Sequence, residues 1–131
     1  MNIETFMAGA EITISLSPTA SNPVLKQNHL HPMEHYKVRI EKPGMSAEEI
    51  YSRPVQDRPA QPSREEIIAA FARRCLSVRK TDFPTYFRIK HFQSEQLARR
   101  CYNQDLALRS KLFPVIGLDN WDNFLDFGLK Q

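Results

Sequence analysis

The string Ala-Arg-Arg-Cys occurs twice in this chain, at Ala72 to Cys75 and at Ala98 to Cys101, each time inside a stretch with helical periodicity. A thiol beside two guanidinium groups has the makings of an activated nucleophile, because neighbouring positive charge lowers a thiol pKa. Catalysis would also require a histidine and an orienting carboxylate close in space. Helix geometry argues for a different division of labour. At ~100° per residue, Arg73 and Arg99 point nearly opposite the cysteines that follow them. Cys75 and Cys101 then fall on apolar stripes as inert packing, and Arg73, Arg74, Arg99 and Arg100 form a candidate basic surface.

A second group with chemical possibilities is the histidine cluster His29, His31 and His35, with Glu34 beside the last. In an extended segment His29 and His31 share a side, as two imidazoles on one metal must, so the three are candidate metal ligands. Surface-loop histidines are the simpler reading, and no cofactor is expected. The acidic pairs Glu48-Glu49 and Glu65-Glu66 look like first-turn charges favoured by the helix dipole. Only four glycines are present, and none sits in a phosphate-cradling loop. No catalytic constellation assembles, so the chain is expected not to be an enzyme.

Two segments carry binding character. Tyr86 to Phe92 reads as a strand interleaving rings with Arg88 and Lys90, a pattern in which exposed rings stack on bases and cations meet phosphates. It lacks the glycines of sheet-based RNA-recognition motifs. The tail from Leu118 to Leu129 alternates acids with Trp121, Phe124 and Phe127, like peptides that anchor large side chains in a groove. Alternatively Trp121 and Phe124 close the chain's own core.

The elements positioning these groups follow from period and punctuation. Ile12, Ile14 and Leu16 alternate with polar residues, and so do Tyr36, Val38 and Ile40, giving two half-buried strands. Ser46 is placed to cap a short helix over Ala47 to Tyr51. Residues 53–62 hold a Pro-rich connector between a β-rich N-terminal part and a helix-rich C-terminal part. Ser63 and Glu66 form a capping box ahead of Ile67, Ile68, Phe71, Ala72 and Cys75. Ser94 caps a second long helix, Pro114 and Gly117 break the chain, and Asp119 opens a last short helix with Gly128 as terminator.

At 131 residues the whole chain, 1–131, is expected to fold as a single domain. Its fold class is α+β, a small antiparallel sheet of about three strands with two longer and two short helices packed on it. The sequence shows neither a charged-then-apolar leader nor a membrane-length apolar run, and the two cysteines suit buried thiols, so a cytoplasmic setting is expected.

The net charge of +3 is unevenly spread. Residues 63–111 hold eleven basic and five acidic groups, for +6, whereas the preceding 62 residues and the last 20 are each net acidic. The leading expectation is therefore a small non-enzymatic protein that docks on another macromolecule, a protein partner, as a regulator or inhibitor of nucleic-acid-handling machinery would. Direct DNA or RNA binding through Arg73, Arg74, Arg88, Lys90, Arg99 and Arg100 is the alternative. A metal-dependent enzyme built on the histidines comes third.

Overall fold

The computed structural model describes residues 2–16, 33–55, 60–79, 81–90, 92 and 94–130. Its layout is α+β: a three-stranded antiparallel sheet and four helices. The strands are β1 (Glu11–Leu16), β2 (Met33–Lys42) and β3 (Met45–Pro54), in sheet order β1-β2-β3. The helices are α1 (Arg64–Ser77), α2 (Phe83–Lys90), α3 (Glu95–Ile116) and α4 (Leu118–Lys130).

Register explains the sheet's two faces. Ile12 pairs with Ile40, Ile14 with Val38, and Ile40 in turn with Ala47, so one face collects apolar side chains from all three strands. Val38 and Ile40 are fully buried there, while Lys37 and Arg39 of the opposite face remain exposed. Between β2 and β3 the chain turns through Pro43-Gly44 alone. Proline fixes the first turn position and Gly44, at φ +80°, supplies the left-handed second one, the signature of a type II turn.

That hairpin overturns the expected helix over Ala47 to Tyr51, which is strand β3. Ser46 and the two glutamates favour a helix start locally, but cross-strand pairing with all ten residues of β2 outweighs so short a helix. β3 also takes in Arg53 and Pro54, so the Pro-rich connector begins inside a strand. Ala60 to Ser63 are irregular, and residues 56–59 lie outside those described.

The helices begin where capping chemistry says they should. The Ser63 hydroxyl accepts from the Glu66 amide at 3.1 Å, and Ser94 does the same for Leu97 at 3.2 Å. Where a strand is expected over Tyr86 to Phe92, residues 86–90 belong to helix α2 and Phe92 is irregular, His91 lying outside the described residues. Asp82 accepts from the Thr85 amide at 2.9 Å, and Pro84 sits in the first turn where no amide is required. α3 runs through Pro114 and ends at Gly117, φ +90°, after which α4 starts at once. Gly128 terminates nothing. It lies inside α4, where an added Cβ would come within 2.8 Å of the Ala72 Cβ and 3.0 Å of the Arg73 amide nitrogen, so α1 and α4 cross in near-backbone contact.

One hydrophobic core joins sheet and helices. Ile67, Ile68, Phe71, Ala72 and Cys75 of α1 meet Leu108, Leu112 and Ile116 of α3 and Phe124, Leu125 and Phe127 of α4. The N-terminal residues close it from the far side. A 3-10 turn at Ile3–Thr5 delivers Ile3, Phe6 and Met7, and Phe6 stacks edge-on against Phe124 and Phe127 with centroids 5.9 and 5.3 Å apart. Among the described residues, no helix is long and apolar enough to cross a membrane.

Candidate docking cleft

A cleft of about 610 Å³ opens between the outer edge of β3 and the helices, within the size range of ligand sites. Glu49 to Ser52 form one wall; Gln104, Ala107 and Lys111 of α3 form the other; Phe71, Arg73 and Arg74 of α1 line it as well. Tyr86 and Lys90 of α2 also border it.

At its base lies a polar network. Asp105 is the one buried charged residue among those described, at 7% exposure. It receives Arg74 Nε on Oδ1 at 2.8 Å and the Tyr86 hydroxyl on Oδ2 at 2.9 Å. Arg74 also pairs with Glu49 at 3.3 Å, which ties α1, α3 and β3 together. Burial alone would lower the Arg74 pKa, but its bond and charge contact with Asp105 outweigh this and hold it above its ordinary value. Burial, followed by the Asp105 charge, raises the Tyr86 hydroxyl. Buried charge of this kind survives only when fully paired, and here Asp105 and Arg74 are.

Around the mouth the charge balance differs. Arg73, Lys90 and Lys111 are exposed and form no ion pair among the described residues. Arg73 donates to the Gly128 carbonyl at 3.4 Å, Lys111 to the Glu48 carbonyl at 3.0 Å, and Lys90 lies 5.9 Å from the Tyr86 ring centroid. The carboxylates that could neutralise them, Glu49 and Asp105, are committed to Arg74.

The candidate residues thus divide. Arg73, Arg74 and Lys90 come together at the cleft. Arg100 shares a helical stripe with Gln104, Ala107 and Lys111, at offsets of four, seven and eleven residues. Arg99 turns away: it pairs with Glu95 at 3.2 Å and lies 4.1 Å over the Phe83 ring. Arg88 is exposed, and two positions from Lys90 on α2 it too faces away. Tyr86 is only 3% exposed, so its ring cannot stack on a base, and Trp121 and Phe124 belong to the core rather than to a groove-seeking tail.

Neither thiol is poised for attack. Burial pushes Cys75 up to about 12, and burial likewise raises Cys101 despite nearby Arg74. His29 and His31 lie outside the described residues, and the His35 Nδ1 bonds the Ser52 hydroxyl at 2.7 Å. No group of three potential metal ligands gathers among the described residues.

A second network sits at the far end of β3. Glu66 receives Arg53 at 2.9 Å and the Tyr51 hydroxyl at 2.6 Å, and Tyr36 donates to Glu34. The Arg53 Nε is buried without a hydrogen bond among the described residues, and a Glu34 carboxylate oxygen lies 3.6 Å from it. Arg53 also donates to the Ala60 carbonyl, clipping the chain that leads into α1.

Asp105 and Lys111 are cleft residues outside the sequence candidates, and each leaves a signal in the chain. Asp105 interrupts the apolar stripe Cys101, Leu108, Leu112, and a lone carboxylate there demands a cationic partner. Lys111 lies in phase with Arg100.

No protein-family model, curated protein or solved structure matches this chain.

Proposed function

We propose that this protein is a small non-enzymatic docking module whose cleft receives an acidic segment of a partner protein. One observation carries the reading: Arg73, Lys90 and Lys111 surround a single cleft while its own carboxylates are already paired to Arg74. Unpaired cations at a concave site focus potential and attract an opposite charge. Burial raises both thiols, so neither Cys75 nor Cys101 stands ready as a nucleophile toward what docks. A regulator that holds its partner without transforming it fits this arrangement, with nucleic-acid-handling machinery as the partner class. The buried thiol of Cys75 supports a reducing, cytoplasmic setting.

Direct nucleic-acid binding gains less support. It calls for exposed rings or a continuous basic face. Tyr86 is buried and Arg99 diverges from Arg73.

Two triple variants of equal charge change test the docking reading. Fluorescence anisotropy against labelled poly-glutamate should show at least about a tenfold loss for Arg73→Glu/Lys90→Glu/Lys111→Glu. Arg88→Glu/Arg99→Glu/Lys130→Glu should change it less than about twofold. Equal losses in both would mean that net charge, not the cleft, attracts the probe, and would end this reading.

A further inference from the structure

Among the described residues β3 is an edge strand, and its outer edge runs along the cleft. In an antiparallel pair, residues alternate between those that exchange both backbone hydrogen bonds and those that exchange none. The two-residue turn makes Lys42 and Met45 the first bonded pair, so odd-numbered residues of β3 bond to β2. Glu48, Ile50 and Ser52 therefore direct their amides and carbonyls away from the sheet. Two contacts agree: Lys111 donates to the Glu48 carbonyl, and the Ile50 amide donates to the Glu49 carboxylate at 3.0 Å. Ser52 N–H and C=O and the Ile50 carbonyl meet no hydrogen-bond partner among the described residues.

Backbone groups left unpaired beside a cleft are a template for one more strand. We infer that β3 takes up an extended acidic segment of a partner protein as a fourth strand, its backbone on Ile50 and Ser52. Alternate side chains of such a strand point to opposite faces of the sheet, so every second one enters the cleft. There Arg73, Lys90 and Lys111 favour carboxylates. The segment is thus defined by pattern, an acid at every second position, more than by total charge. The inference rests on the docking reading and adds the main-chain contribution to it.

An eight-residue fluorescein-labelled peptide alternating Glu and Val is the probe, with two versions N-methylated at every second amide, one in each phase. Strand addition predicts that the plain peptide binds, and that one methylated phase loses at least about tenfold while charge is unchanged. The Ser52 amide should exchange with solvent at least about tenfold more slowly in the complex. If both methylated peptides bind like the plain one, strand addition is overturned and docking by charge stands. If the plain peptide binds no more tightly than to Arg73→Glu/Lys90→Glu/Lys111→Glu protein, both fall together. Tighter binding of an oligothymidylate with eight phosphates would overturn the inference in favour of nucleic acid. A dimer in which Ser52 is already protected without peptide would overturn it in favour of a second copy of this chain.

Discussion

Arg74 of α1 and Asp105 of α3 meet at 2.8 Å beneath the mouth of the cleft, and the same carboxylate receives the Tyr86 hydroxyl at 2.9 Å. Three helices therefore converge on a single side chain. The pair neutralises the one arginine of the cleft whose charge is largely enclosed, leaving the rim cations to face outward.

Removing that carboxylate should be expensive. Asp105→Ala leaves Arg74 with Glu49 alone and strands the Tyr86 hydroxyl, for a loss of about 3 kcal/mol by urea unfolding. Tyr86→Phe should lose about 1.5 kcal/mol. The double variant should fall short of the sum by about 1 kcal/mol, because the two side chains share one bond. Strict additivity would mean that the network is not coupled.

Gly128→Ala sets two effects of opposite sign against each other. Alanine in a helix interior is favoured over glycine by about 1 kcal/mol. Yet the new methyl would lie 2.8 Å from the Ala72 Cβ and 3.0 Å from backbone, where overpacking costs about 1–3 kcal/mol. A net loss of about 1 kcal/mol is expected from these terms, larger for Gly128→Val. Combining Gly128→Ala with Ala72→Gly should recover part of it. A Gly128→Ala protein that melts higher than wild type would show that the crossing relaxes.

Stability should decline in alkali. Burial raises the Cys75 thiol from 9.0 to about 12 in the folded protein and raises Cys101 as well. Below pH 9 both states hold these protons and stability is insensitive to them. From pH 9 towards 12 the unfolded chain releases protons that the folded chain keeps. Stability then falls by up to about 1.4 kcal/mol per pH unit for Cys75, and Cys101 adds a decline of the same sign. Tyr51 and Tyr86, both raised by burial, steepen the decline above pH 10. Between pH 9 and 10, urea midpoints of Cys75→Ala should fall less steeply than those of wild type. Identical slopes would refute the assignment.

The two copies of Ala-Arg-Arg-Cys should behave differently in function. Arg73→Glu removes a rim cation and should weaken an acidic probe by about threefold or more, whereas Arg99→Glu, on Phe83, should leave it within about twofold. Anisotropy titrations at matched salt decide between them. Equal effects would restore the repeated string as one surface.

Much of this arrangement is legible in the residues, and the exceptions have physical reasons. Capping by Ser63 and Ser94 marks two helices because a hydroxyl beside a free amide is a local interaction. β3 is hidden because Ser46 to Tyr51 follows helix-start chemistry, and its strand state comes from pairing with β2, a partner that local propensity does not see. α2 is hidden because Tyr86, Arg88 and Lys90 satisfy period two over too short a span. Phe83, Tyr86 and Phe87 fit a helical spacing equally, and Asp82 with Pro84 is the cap that settles it. At the cleft, the cations Arg73, Arg74 and Lys90 are readable as charge. Their joint direction is not, since it depends on the crossings of α1, α2 and α3.

The sheet's two margins are unlike. On β1 the outward Ile14 carbonyl accepts from the Gln61 side chain at 3.3 Å, and on β3 the Glu48 carbonyl is likewise held by Lys111, but the Ser52 N–H and C=O stand open among the described residues. Head-to-tail stacking of copies into a filament needs two open margins. With Gln61 held across it, β1 is the poorer margin for such stacking: each added copy would first have to displace that side chain, whereas a single strand added at Ser52 of β3 displaces no partner among the described residues.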